Sequence, residues 1–147
     1  MDQLRNRIAR CEQEGKALAL LYVQCGIIGR IDGIWGLHVG DAVRSRILAR
    51  MRTDVLRPGD LLSEVGRDEF ACVLDVASGL GVATLVAQKT LRALNVPVRV
   101  ADTEVYARPA VGVALYPEHG GSPVILLQRA KIASLVARDE LERIAVY

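Results

Sequence analysis

The residues best suited to chemistry fall in two short stretches, Arg57-Pro58-Gly59-Asp60 and Gly66-Arg67-Asp68-Glu69-Phe70. The second joins two apolar runs within residues 61–74, a pattern that reads as a β-hairpin with two adjacent carboxylates at its turn. Gly66 can take φ > 0 there without a side-chain penalty. Strand neighbours point to opposite faces, so Asp68 and Glu69 are expected to look in different directions, one toward a ligand and the other toward a flank. An isolated acidic pair in a turn is more often a solvated edge than a metal centre. Arg57 and Asp60, taken alone, read as a turn carrying a surface ion pair of little energetic weight.

The rest of the chain must position these groups. Residues 17–23, ALALLYV, form a nearly continuous apolar run of strand length, suited to a central strand covered on both sides. Before it, Leu4, Ile8 and Cys11 recur at helical spacing among charged residues, and Gly15 ends that helix. Val39, Val43, Ile47, Met51 and Val55 mark a buried helix face, closed by the turn at Pro58. Trp35 is expected to anchor packing, and His38 alone is weak evidence for acid–base work. Ala83, Ala87, Leu91 and Leu94 mark another helix over residues 79–94. Residues 97–101 and 104–116 read as strands joined tightly at Asp102-Thr103. A Gly- and Pro-rich loop over 117–123 leads to a last helix over 124–138, with Ile125, Ala133 and Val136 on its apolar side. The tail over 143–147 is placed to close the sheet edge. Strands alternating with amphipathic helices predict one α/β domain.

A chain of 147 residues, 51% hydrophobic, can bury a core without metal or disulfide staples. Its net charge of +2, from 19 basic and 17 acidic residues, is too balanced to indicate nucleic acid. The three cysteines include no CxxC pair, and Cys25 and Cys72 sit in apolar runs as small core residues. No apolar run reaches about 18 residues and the N-terminus lacks a signal-peptide core, so the expectation is a soluble, cytoplasmic segment without membrane contact.

Arg57-Pro58-Gly59-Asp60, a short strand and then Gly66-Arg67-Asp68-Glu69-Phe70 together resemble the signature segment of GGDEF domains, the diguanylate cyclase family. The likeness runs from about Lys16 to Arg138, through Leu20-Leu21-Tyr22-Val23, Gly40-Asp41 and Gly112-Val113-Ala114-Leu115-Tyr116-Pro117. It implies a central, mainly antiparallel five-stranded sheet surrounded by helices, of the nucleotide-cyclase, ferredoxin-like kind. A linker helix over residues 1–15 would precede a degenerate GGDEF domain over 16–147.

The resemblance also exposes departures. Gln24 stands at the family's first metal-binding Asp, Gly26 at its second Asp, Gly29 at a Lys, and Asp32 at the Asn that reads guanine. Magnesium prefers carboxylate and phosphate oxygens, and the neutral amide of Gln24 cannot supply the lost charge. Arg67 replaces a Gly where the backbone approaches substrate phosphate, so its side chain would fill or reshape the pocket, or else stabilise a phosphate. Lys131 and Leu135 replace an Asp and a Tyr. Arg138 keeps a phosphate-contacting cation, whereas Glu142 reverses one.

The implied function is therefore a catalytically inactive GGDEF domain, acting as a regulatory or oligomerisation module in cyclic di-GMP signalling. One alternative is a cyclic di-GMP receptor using Arg57 and Asp60, the family's RxxD site, with Arg92 as a further contact and Gln88 as its competitor for that place. The other is a weak diguanylate cyclase making cyclic di-GMP from two GTP. No catalytic residue is expected beyond the remnant signature Gly66, Arg67, Asp68, Glu69 and Phe70. Asp32, Asp41 and Arg138 are the nucleotide-binding remnants, and Asp68 is the metal ligand if there is one. No cofactor is expected, with magnesium or manganese only if cyclase activity survives. Implied partners are other domains of the same signalling protein, a partner protein, a second copy or cyclic di-GMP.

Overall fold

The computed structural model describes residues 2–74, 79–100 and 102–147. The apolar run after Gly15 becomes strand β1, Leu18–Cys25, and every residue in it is buried. Strands β3 (Glu69–Leu74) and β6 (Pro109–Tyr116) flank it, both antiparallel. Strand β2 (Leu61–Glu64) extends the sheet beyond β3, and β7 (Ile144–Val146) pairs parallel to β6. The resulting order is β2-β3-β1-β6-β7, a mixed and mainly antiparallel five-stranded sheet. The tail therefore closes one sheet edge, as its position suggested.

Alternation along β1 divides the core in two. Leu21, Val23 and Cys25 face helices α2 (Ile28–Trp35), α3 (Leu37–Arg50) and α4 (Gly79–Leu94). Leu18, Leu20 and Tyr22 face α1 (Asp2–Glu14) and α5 (Pro123–Ala137). Leu20 and Leu21 are fully buried, and each such side chain contributes about 1.5–3 kcal/mol by leaving water. Helix α3 runs on into a π-helical turn, Met51–Val55, which keeps Val43, Ile47, Met51 and Val55 buried before the chain extends at Leu56.

Three expectations are corrected. The strand expected over residues 104–116 breaks at Arg108, whose φ of 50° puts it in left-handed backbone that cannot continue a ladder. Before the break, β5 (Thr103–Val105) pairs with β4 (Val98–Val100) as a separate ribbon, so Thr103 belongs to a strand and not to the connection. Ala101, expected as the end of the preceding strand, lies outside the described residues. Trp35 is 49% exposed at the end of α2, where Gly36 turns the chain at φ 91°, and so it anchors no core.

The third correction concerns α5. It buries Leu126, Ala130, Ala133, Ser134 and Ala137 and leaves Ile125 and Val136 outside. This helix is apolar around much of its circumference, so periodicity could not choose its face. Size decides instead: small residues on α5 let its backbone lie against Gly112 of β6, where a Cβ would overlap the Ala130 carbonyl and the Ser134 amide. Gly112→Ala should therefore lower stability by about 1–3 kcal/mol or more in denaturant unfolding. Gly26→Ala, whose added Cβ meets nothing within 4 Å, should change little. Equal midpoints for the two variants would contradict this close contact.

Candidate functional site

The hairpin between β2 and β3 is closed by Val65 and Gly66 amides, both donating to the Glu69 carbonyl. Arg44 of α3 grips the same turn from outside. Its Nε donates to the Arg67 carbonyl at 3.2 Å, its Nη2 to the Gly66 carbonyl at 3.3 Å, and its Nη1 to Glu64 at 2.8 Å. The hairpin tip is thus fixed to α3, which sets where its side chains reach.

Arg67 reaches across to α2 and α3. Its guanidinium forks onto Asp32, with Nε donating to Oδ2 at 3.0 Å and Nη2 to Oδ1 at 2.7 Å, while Nη1 donates to Asp41. Planar, two-pronged pairing of this kind is the strongest an arginine makes with a carboxylate. Gly40 allows it, since a Cβ there would overlap the Asp32 carboxylate and crowd Arg67 Nη2 at 3.1 Å. Asp32 and Asp41, expected as nucleotide contacts, are brought together, and what they hold is the protein's own cation. Arg67 is directed at these two carboxylates.

The two signature carboxylates do diverge. Asp68 Oδ1 accepts from the Gly29 amide at 2.8 Å, toward α2. Glu69 accepts from the Tyr22 hydroxyl at 2.7 Å and lies 3.9 Å from Lys131 Nζ, toward α5. Burial first, and then the bond and charge of Glu69, raise the Tyr22 phenol well above its ordinary value. Neither carboxylate is the bare solvated edge that turn statistics suggested. Phe70, next in the signature, is buried in the sheet.

Gln24 is buried at the end of β1, and its amide nitrogen donates to Ser134 Oγ at 2.8 Å, which in turn donates to the Lys131 carbonyl at 2.6 Å. It ties β1 to α5 at the place where the resemblance would put a metal carboxylate. A hard divalent cation fits this donor set poorly, because Asp68 faces a backbone amide and Asp32 and Asp41 are held by Arg67. Among the described residues, no three His, Cys, Asp or Glu side chains come together as a metal group. Cys25 and Cys72 are buried core residues, and burial pushes both thiols up to about 12.

Arg57 and Asp60 form the turn between the π-helical segment and β2. Asp60 Oδ2 accepts from the Arg57 amide at 2.9 Å and Nε at 3.5 Å, and its side chain is only 1% exposed, so this is not a plain surface pair. Arg7 of α1 donates to the Gly59 carbonyl, joining the first helix to this turn. A cleft of about 380 Å³ opens beside it, in which the second guanidinium is that of Arg52. Arg92 and Gln88 sit on α4 and do not line that cleft. Arg138, just past α5, lines a different cleft together with Gln24. The sequence reading missed Arg44 and Arg7, whose partners lie far along the chain, and Arg52, which lines the cleft beside Arg57.

The family described as "Diguanylate cyclase, GGDEF domain" matches residues 1–142. Diguanylate cyclase TpbB of Pseudomonas aeruginosa is 30% identical over 139 residues, covering 94% of this chain and 32% of the relative. Cyclic di-GMP phosphodiesterase NbdA of the same species is 29% identical over 126 residues, covering 86% of this chain and 16% of the relative. The chain thus spans a third or less of the length of these two curated relatives. The crystal structure of the GGDEF domain of YfiN, also named TpbB, superposes with a TM-score of 0.90 at 30% identity, covering 99% of this chain and 91% of that one.

Hydrogen bonding from Arg67 is the largest influence holding the Asp41 carboxyl below its usual 3.8. A depressed carboxylate contributes stability at neutral pH and loses it as pH falls through the lowered value. An NMR carboxyl titration should therefore place the Asp41 midpoint below 3.8 and move it upward in Arg67→Gly. A midpoint that does not respond to Arg67→Gly would contradict the pairing.

Proposed function

The chain belongs to the GGDEF domain family of diguanylate cyclases, and from that membership we propose that it is a regulatory module of cyclic di-GMP signalling that has lost cyclase chemistry. The observation that carries this reading is the Arg67 fork on Asp32 and Asp41. Those are the two positions the family likeness gives to guanine, and both carboxylates already have a cationic partner. Nucleotidyl transfer also needs positive charge or metal to neutralise phosphate and activate the attacking hydroxyl. Gln24 brings no charge to that task, and its amide is engaged with Ser134. No metal or other cofactor is required for the proposed role. A domain of this kind acts by contact with other domains of its protein, with a partner protein or with a second copy.

A second reading has its own observation. The cleft beside Arg57 presents two guanidinium groups, those of Arg52 and Arg57, next to the Asp60 turn, a chemistry suited to a phosphate-bearing ligand such as cyclic di-GMP. Because Arg7 binds the carbonyl of Gly59 in the same turn, occupancy there would bear on how α1 sits.

Incubation with GTP and magnesium or manganese should yield no cyclic di-GMP above background. Product formed by the wild-type chain and lost in Glu69→Ala would refute the inactive reading. Calorimetric titration with cyclic di-GMP decides the second: saturable binding abolished in Arg57→Ala and kept in Gln24→Ala would make the domain a receptor. Silence in a folded sample leaves the contact module alone.

A further inference from the structure

Arg143 has left-handed backbone, with φ 62°, and its guanidinium spends its donors on main chain. Nη1 donates to the Arg138 carbonyl at 2.7 Å, Nη2 to the Arg108 carbonyl at 3.0 Å, and Nε to the Pro109 carbonyl at 3.1 Å. One side chain thus ties the segment before β6 to the end of α5. The result is that Arg108 and Arg138, distant in sequence, line one open cleft of about 420 Å³ with Arg30 of α2.

The charge of this cleft is uncompensated. Arg30, Arg108 and Arg138 are exposed, and none of their guanidinium groups makes a hydrogen bond or ion pair with another described residue. Asp139 is the one carboxylate among the lining residues, against four guanidinium groups, and Gln24 adds only a neutral amide. Like charges gathered this closely repel one another and favour an anionic partner.

An apolar ledge adjoins the cations. Leu135 lines the cleft and is 43% exposed; on the same side of α5, Ile132 is 46% exposed and Val136 51% exposed. Residues three and four apart on a helix share a face, so these three form one strip. A small phosphate compound would satisfy the arginines and leave the strip in water. An extended or helical segment with acidic and apolar side chains would cover both.

We propose that this cleft and the adjoining face of α5 dock an acidic, amphipathic peptide segment of a partner protein. The inference rests on the reading that the cleft no longer turns over nucleotide. The two fail separately, since cyclic di-GMP formation from GTP would sink that reading whatever the peptide does.

The test is fluorescence anisotropy of the full chain with a labelled peptide of about 12 residues in Glu-Glu-Leu repeats. A second peptide with Ser for each Leu and inorganic tripolyphosphate serve as the other arms. Expected is saturable binding of the Leu peptide, weakened roughly tenfold or more by Arg108→Glu and by Leu135→Asp. Lys89→Glu on α4, an equal charge change elsewhere, should leave it intact, with circular dichroism showing all variants folded. The proposal is overturned if no peptide binds, if the Ser peptide binds equally well, or if Lys89→Glu weakens binding as much. Saturable tripolyphosphate binding without peptide binding would identify a phosphate site and overturn it too.

Discussion

The fork of Arg67 onto Asp32 and Asp41 is the interaction on which the character of this site depends. It links the hairpin to both α2 and α3, and neighbouring features accommodate it. Gly40 leaves room for the Asp32 carboxylate, and Arg44 holds the consecutive carbonyls of Gly66 and Arg67 at the hairpin tip, from which Arg67 projects across the gap. Asp32 supplies negative charge where the family likeness expects a neutral amide, and Arg67 supplies positive charge where it expects no side chain. The two departures complement each other. The hairpin, α2 and α3 thus share one ion cluster at the surface of the fold.

The neighbouring departures follow the same logic. Gln24, at the end of β1, bonds with Ser134 and so joins strand to helix. Gly29 offers its amide to Asp68, and an added Cβ there would stand 3.2 Å from that carboxylate. Lys131 approaches Glu69, which also carries the Tyr22 hydroxyl. Each acidic group of the signature thus has a partner within the protein. Arg30, Arg108 and Arg138, by contrast, gather in the cleft that Gln24 also lines.

Much of the fold was legible because local pattern and burial agree. The continuous apolar run of β1, the helical recurrence from Val43 to Val55, and the divergence of Asp68 from Glu69 all follow from period and pleat. Where pattern was silent, contact between distant segments decided. Helix α5 is apolar on too many sides for period to orient it, and Gly112 does so through backbone proximity. At the break, the Arg108 carbonyl accepts from Arg143, 35 residues onward. Arg67 was legible as a side chain in the wrong place, but its partners 35 and 26 residues away were not.

A double-mutant cycle between Arg67 and Asp32, read by denaturant unfolding, tests the central claim most directly. If the fork exists, Arg67→Ala and Asp32→Ala each destabilise the chain, and the double variant loses clearly less than the sum of the two. Strictly additive losses would mean that the two side chains do not meet, and the account of a site closed by its own arginine would fail.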